Sequence, residues 1–384
     1  MTDEPALPLS GIRVLDFSRV LAGPLATQTL GDLGAEIIKI ERPGMGDDTR
    51  GWGPPFVDGD AAYFFSVNRN KTSLALDLAT PEGVAEASRL AETADVLVEN
   101  FRPGLMRRFG LDHETLRQRN PRLVYCSLLA FGDDEDESKP GYDIIVQALS
   151  GLMSVTGERG RDPVKVGVAL LDVITGLYAS NGILAALRER DATGIGRRIT
   201  VSLFEASVAA MVNQAANHLL GGLVPGPMGT EHPNIVPYQV FDAADRPFVL
   251  AAGNDRLYER TCEVIGRPDL AQRYSTNEER VRARTELVPE LQRVFATRPA
   301  AEWLEELEVA AVPCAPVRTL DEVFASPEGA ATIQQVDDPA RGMLRLVADP
   351  IRFEGKHLPA RMAPPRLAGP APGGAGRADR ERPE

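Results

Sequence analysis

With 384 residues, 43% of them hydrophobic and 25% charged, the chain can bury one large core or two medium ones and has the composition of a globular protein. Its formal net charge of −13 argues against nucleic acid or an anionic membrane as the main partner, while leaving room for a local basic pocket. The three cysteines, Cys126, Cys262 and Cys314, and the four histidines, His113, His218, His232 and His357, are scattered without ligand spacing, so neither a disulfide framework nor a metal site is expected.

The N-terminal MTDEPALPLS has neither the basic nor the apolar region of a signal peptide, and no apolar run reaches membrane-spanning length, so the expected location is cytoplasmic. Residues 12–17 read as a short apolar strand, 23–33 as a helix and 35–40 as a second strand, the βαβ opening of a parallel sheet. The connecting turn, SRVLAGP at 18–24, has no G-x-G-x-x-G, so a dinucleotide pyrophosphate could not approach the backbone closely and a nicotinamide cofactor is disfavoured. A long Gly-, Pro- and Asp-rich loop follows over 42–62 and carries Trp52; loops of this length are usually functional. Residues 73–78 alternate as a strand, 80–93 form a helix with Pro81 in its first turn, and the apolar strand 95–99 runs into Asn100-Phe101-Arg102-Pro103-Gly104. Short helices near Leu105 and Glu114 precede a strand at 123–128. Strands alternating with helices predict an α/β fold built on a doubly wound, Rossmann-like parallel sheet.

Arg19, Lys39, Arg42, Arg69, Lys71, Arg102, Arg107 and Arg108 gather near the predicted strand ends. Open parallel sheets bind ligands beyond the carboxyl ends of their strands, so these cations suit a phosphate-rich ligand. For any one of them a solvated rim is the commoner role. Residues 131–139, FGDDEDESK, are a solvated acidic loop, after which Tyr142 and Asp143 lead an apolar stretch, 144–155, expected to be helical.

The strongest pattern is 166–206, VGVALLDVITGLYASNGILAALRERDATGIGRRITVSLFEA. Val173, Ile174, Leu177, Tyr178, Ile183, Leu184 and Leu187 recur at helix spacing, and Gly176 and Gly182 permit close packing. Gly194 and Gly196 stop the helix, and 198–203 alternate as a strand. Asp172 is the lone carboxylate at the mouth of this apolar helix. One role for it is an N-cap, typically worth about 1 kcal/mol. The other is a nucleophile whose charge the helix N-terminus favours. Caps are the commoner of the two, and the segment alone leaves both open. Beyond it, a helix to 220, a Gly/Pro-rich linker at 221–233, two strands within 236–250, helices from 251–255 to 265, at 280–296, 299–309 and 320–324, and an extended 312–317 describe a smaller α+β domain.

Eight motifs in register resemble the family III coenzyme A-transferases: VLDFSRVLAGP, LGAEIIKIERPGMGDDTRGWGPP, NRNKTSLALDL, VENFRPG, GYDIIVQALSGLMSVTG, the 169–206 part of the segment above, HPNIVPYQVF and AAGND. The resemblance spans roughly residues 9 to 365. It implies a large Rossmann-like CoA-binding domain over 9–205, a linker helix and loop over 206–233, a small α+β domain over 234–326 and a return segment over 327–364, assembled as an interlocked homodimer. The tail over 365–384, rich in Pro, Gly and Arg, is expected to be disordered on its composition and departs from the family's usual C-terminal helix. It places Asp172 on the family's nucleophile. It sets coenzyme A against Leu21, Ala22, Arg42, Leu76, Asp77, Leu78, Ala79, Asn100, Phe101, Arg108, Lys139 and Tyr142, with Trp52 and Asp143 at the substrate pocket. The implied partners are an acyl-CoA and a small carboxylic acid, with no metal and no tightly bound cofactor.

The implied chemistry is transfer of coenzyme A through an aspartyl–acyl anhydride and an aspartyl-CoA thioester, which calls for an ionised Asp172 at neutral pH. Related racemases place a His-Asp pair thirty residues before the aspartate; here that position is Tyr142, followed by Asp143. A phenol with a pKa of about 10 is a poor base at pH 7, which disfavours racemisation. A non-catalytic CoA-binding protein is the alternative of another class, and Asp172 speaks against it.

Overall fold

The computed structural model describes residues 7–132 and 141–369; Lys139, the acidic run 133–137 and the tail from 370 lie outside the described residues. The chain divides into two compact units, one of Met1–Ser150, Val166–Met211 and Ala331–Glu384, the other of Gly151–Lys165 and Val212–Ala330. Residues 151–165, expected in the large domain, belong with the second unit, and the first extends to Met211.

The first unit is built on six parallel strands: β1 Arg13–Asp16, β2 Glu36–Glu41, β3 Lys71–Ala75, β4 Val96–Glu99, β5 Val124–Leu129 and β6 Arg198–Ser202. Their spatial order, β3-β2-β1-β4-β5-β6, is the doubly wound order the alternation predicts, with its switch point between β1 and β4. Every residue of β4 and β5 is buried, as the apolar runs require of central strands covered on both faces. Side chains alternate between two cores. Val14, Val96, Val98, Val124 and Cys126 face α1 (Ala22–Asp32) and α4 (Leu170–Thr193), and Leu15, Leu97 and Tyr125 face α2 (Pro81–Ala91).

Helix α4 is long and apolar enough to cross a membrane by length and composition, contrary to the expectation that no run reaches that length. Its face of Ala179, Ile183 and Leu187 instead packs in the core with Ala22, Ala26 and Leu30 of α1. A Cβ at Gly176 would come within 2.6 Å of the Ala22 carbonyl oxygen, so only glycine lets the two helices approach this closely. Gly194 ends α4 with φ +75°, as expected of a helix-stopping glycine.

Two predicted helices are shorter than their apolar patterns. The stretch 144–155 splits into α3 (Asp143–Leu149) and a 3-10 turn at Met153–Val155, because Gly151 takes φ +89°. The helix expected to run from 203 to 220 breaks after α5 (Leu203–Ala210), where Val212 takes φ +30°, and resumes as Val212–Gly221. Strand β3 starts at Lys71 rather than Ser73, and 76–79, expected as strand, form a turn in which Ala79 N–H donates to Asp77 Oδ1 at 2.9 Å.

Lys71 escapes the alternation because its ammonium is fully buried. It donates to Asp16 at 3.0 Å, to the Pro24 carbonyl at 2.9 Å and to Asn68 at 3.0 Å. Lys39 on β2, equally buried, bonds the Ser18 carbonyl at 2.8 Å and pairs with Asp47 at 2.9 Å. Burial by itself would raise the Asp16 carboxyl, but Lys71 and Lys39, with Ser18 and Thr27, bring it down to about 2. Burial lowers Lys71 to about 8, with Asp16 opposing and Lys39 assisting.

The return segment forms an antiparallel pair, Ile333–Asp338 with Gly342–Val347, that the sequence did not announce. Arg69 grips Asp32 at 2.8 and 2.6 Å and donates to the Val347 carbonyl at 2.8 Å, while Arg341 pairs with Asp60 at 2.7 Å. The second unit carries an antiparallel sheet of Cys314–Pro316, Pro247–Ala251 and Tyr238–Asp242, packed on helices through Phe241, Phe248, Phe295 and Trp303, the α+β arrangement expected.

Removing one member of a buried ion pair leaves an uncompensated charge, which typically costs 3–5 kcal/mol. Lys71→Met is therefore expected to lower stability by about 3 kcal/mol, and Asp16→Asn combined with Lys71→Met to recover about half of it. Urea unfolding of the wild type, both single variants and the double variant measures the coupling.

Candidate active site

A cavity of about 470 Å³ opens at the carboxyl edge of the sheet, around the switch point. It is lined by Arg19, Val20 and Ala22 after β1, Arg42 and Asp48 after β2, Asn100, Phe101 and Arg102 after β4, Leu128–Gly132 at the end of β5, Tyr142 and Asp143 at the start of α3, and Asp172.

The buried charges beneath shape its floor. Asp47, paired below with Lys39, accepts from Val20 N–H at 3.3 Å and from Thr49 at 3.0 Å. Val20 is held at φ +69°, a conformation β-branched residues avoid. Asn100 clamps the neighbouring residue from both sides, accepting from Arg19 N–H at 2.9 Å and donating to the Arg19 carbonyl at 2.8 Å. Gly23 is required here, since a Cβ would fall 2.2 Å from that of Ser18.

The loop so fixed aims Arg19 into the cavity, with its guanidinium 4.9 Å above the Phe101 ring. Burial and then the like charge of Arg42 lower its pKa, with Asp48 and Asp47 opposing. Among the described residues neither Arg19 nor Arg42 has a carboxylate within ion-pair distance. Two guanidiniums left unpaired beside the N-terminus of α1 suit an anionic ligand. The other cations of the sequence cluster separate cleanly. Lys39, Lys71 and Arg69 are committed to buried ion pairs, and Arg102 lines the cavity. Arg107 lines a neighbouring pocket and Arg108 is exposed outside both.

Asp172 is the third residue of α4, and the N-cap position is Ala169, which has no capping side chain. The N-cap role considered for Asp172 is thus held by another residue. Asp143 Oδ2 accepts from Leu171 N–H at 2.9 Å and from Asp172 N–H at 3.4 Å. Its Oδ1 accepts from Gln147 Nε2 at 2.5 Å, and Gln147 Oε1 accepts from Val166 N–H at 3.0 Å. Burial and then the Asp143 charge push the Asp172 carboxyl up to about 7. The expectation of a fully ionised carboxylate at neutral pH is corrected accordingly: with its helix N-terminus capped by a second acid, Asp172 is poised between its two forms.

Of the residues proposed from the sequence, the cavity brings together Ala22, Arg42, Asn100, Phe101, Tyr142, Asp143 and Asp172. Leu21 is buried next to it, the 76–79 turn follows β3 outside the lining, and Lys139 lies outside the described residues. Trp52, half-exposed, also lies off the cavity wall and packs 5.7 Å from Tyr63. Sequence reasoning missed Tyr63 and Gln147 and did not single out Arg19. The Tyr63 hydroxyl is pushed up to about 12 by burial and then by the charges of Asp172, Asp143 and Asp47, so it lies within the field of the carboxylate pair. The i, i+4 spacing of Asp143 and Gln147 was a legible signal for their bond. No group of His, Cys, Asp or Glu among the described residues could hold a metal ion.

The model of CoA-transferase family III matches residues 9–369. Succinyl-CoA:glutarate CoA-transferase of Mus musculus is 42% identical over 365 residues, covering 94% of this chain and 84% of that protein. Succinate–glutarate CoA-transferase of Agrobacterium fabrum is 44% identical over 353 residues, covering 88% of this chain and 87% of that one. Among solved structures, a CAIB/BAIF family protein from Brucella suis aligns with TM-score 0.83 and 40% identity over 94% of this chain and 97% of its own.

A carboxyl group with a raised folded-state pKa destabilises the fold once it must ionise. Its cost is absent below about pH 4, grows as pH rises and is complete above the folded value of about 7. Asp172→Asn removes that cost. Its melting temperature should match the wild type near pH 4 and exceed it by pH 8, by a stability difference of about 1–3 kcal/mol. Thermal unfolding across that range reads the difference, and a constant gap at all pH values would contradict the assignment.

Proposed function

The chain belongs to CoA-transferase family III, an enzyme that moves coenzyme A from a thioester to a carboxylic acid, and we propose that Asp172 carries the transfer covalently, with succinyl-CoA as donor and a small dicarboxylic acid of the glutarate class as acceptor. The observation that supports this most is that one cavity joins the Asp172 carboxyl to the guanidiniums of Arg19 and Arg42, which have no carboxylate at ion-pair distance among the described residues. The first supplies a nucleophile and the second a seat for the anionic nucleotide end of coenzyme A. The names of the two curated relatives support the donor and acceptor classes.

In the proposed sequence an ionised Asp172 oxygen attacks the thioester carbonyl carbon. The C–S bond breaks and yields an aspartyl–succinyl anhydride and CoA thiolate. The thiolate attacks the aspartyl carbonyl carbon, releasing succinate and leaving an aspartyl-CoA thioester. The acceptor carboxylate displaces the thiolate from that thioester to form a second anhydride. The thiolate then attacks the acceptor acyl carbon, forming the new acyl-CoA and restoring the Asp172 carboxylate. No net proton is consumed. The cavity that Asp172 lines gives the thiolate a place beside the anhydride carbonyl it must attack, so the second displacement proceeds without release of coenzyme A.

The pairing of chains is a second part of the proposal. Ile144, Ile145 and Leu149 on α3 and Leu177 and Tyr178 on α4 are exposed on a single chain, an apolar surface that a second copy would cover. This supports a homodimer, and the three unpaired thiols suit a cytoplasmic enzyme. Light scattering of the purified protein should give the mass of two chains, and Leu177→Glu with Leu149→Glu should shift it toward one.

Incubation with succinyl-CoA and a panel of dicarboxylic acids should produce the acceptor CoA thioester, and hydroxylamine should trap Asp172 as a hydroxamate detectable by peptide mass. Asp172→Ala should abolish both. Transfer that survives this substitution, or α-proton exchange in deuterated water without transfer, would overturn the covalent reading.

A further inference from the structure

Helix α4 begins without a cap of its own: Ala169 has no side-chain acceptor to offer the first-turn N–H groups. The acceptor comes instead from a different helix, and it is an acid placed next to another acid. Asp143 takes the N–H groups of Leu171 and Asp172 at 2.9 and 3.4 Å. It is itself held by the fully buried Gln147, whose amide also anchors Val166 at 3.0 Å. One buried amide and one carboxylate on α3 therefore grip both ends of the segment 166–172 that delivers Asp172 to the cavity.

We propose that Asp143, locked by Gln147, is the positioning residue of the nucleophile, fixing the first turn of α4 while setting a second negative charge beside the Asp172 carboxyl. The inference rests on the covalent role of Asp172 proposed above. Its physical content is twofold. The bonds to Leu171 and Asp172 remove the freedom of the first helical turn to fray, which holds the attacking oxygen in register with the bound thioester. The charge cancels the help that a helix N-terminus would otherwise give the Asp172 anion. A more basic carboxylate attacks a thioester carbonyl more readily, at the expense of a smaller ionised fraction at neutral pH. The other charged or titratable groups around the cavity are Tyr142 just before α3, Tyr63 on the short helix Ala62–Ser66, Arg19 after β1, Arg42, Asp47 and Asp48 after β2, and Arg102 after β4. It is Asp143 that adds to burial in raising Asp172.

The test is the pH profile of kcat/KM for succinyl-CoA, whose acid limb reports the nucleophile in the free enzyme. Asp143→Asn keeps an acceptor for the Leu171 N–H and removes the charge. Its acid limb should move down by about one pH unit or more, with activity at pH 8 reduced only a few-fold. Gln147→Ala keeps the charge and releases the grip. It should lower kcat by about tenfold or more with the KM for succinyl-CoA and the acid limb unchanged. A purely structural role would lower the melting temperature of either variant without moving the limb in one and kcat alone in the other. An acid limb that stays in place in Asp143→Asn, in a protein whose Asp172→Ala variant is inactive, overturns the positioning role. Activity retained in Asp172→Ala overturns the covalent reading instead, so the two failures are distinguishable.

Discussion

Four charges buried beneath the β1–α1 loop hold the working edge of this protein in place. Asp16 closes β1, Lys39 lies within β2, Lys71 opens β3, and Asp47 comes from the long loop after β2; together they form the ion pairs Lys71–Asp16 and Lys39–Asp47 at 3.0 and 2.9 Å. Desolvating four charges costs several kcal/mol each unless they meet one another in good geometry. That requirement ties three strands and a loop into one arrangement. It also explains the strained Val20, whose N–H is taken by the same Asp47 that neutralises Lys39.

The division of labour among cations follows from this frame. Lys39, Lys71 and Arg69 meet carboxylates inside the protein and have no charge left to offer. Arg19 and Arg42 are displayed above the frame without carboxylates at ion-pair distance among the described residues; Asp48 and Asp47 offset part of their mutual repulsion, and a bound anion would offset more. An acidic chain with a net charge of −13 can thus present a local positive seat for a nucleotide while repelling polyanions in general.

Across the cavity the electrostatics run the other way. Asp143 and Asp172 stand together at the start of α4, and the fold spends the positive end of that helix on the first rather than the second. The outcome is a carboxyl group near neutrality instead of the usual acidic range. Transfer through an anhydride needs a carboxylate that is both nucleophilic and replaceable, and a raised pKa favours the first property. Tyr63, its hydroxyl pushed to about 12, stays neutral in this field, so it contributes a dipole and no charge.

Local pattern was enough to find the architecture. The apolar runs at β4 and β5, the alternation with helices and the glycine that stops α4 each state which face is buried, and burial faces determine a doubly wound sheet. The motif string located Asp172, Arg42, Asn100 and Tyr142, and these four line one cavity. What the chain could not declare locally was the identity of each polar partner. Lys71 reads as a charged interruption before a strand, yet it is the first residue of β3, because Asp16 waits for it 55 positions earlier. By its position alone Asp172 could be a cap or a nucleophile, yet its helix is capped from 29 positions away. The 333–347 pair buries only a narrow apolar strip, Val336 opposite Leu344, and Arg69 and Arg341 tie it to Asp32 and Asp60 far back in the chain. Periodicity records how much water each residue loses; only the folded chain decides which buried hydrogen-bonding group receives it in exchange, and in this protein that second choice sets the chemistry.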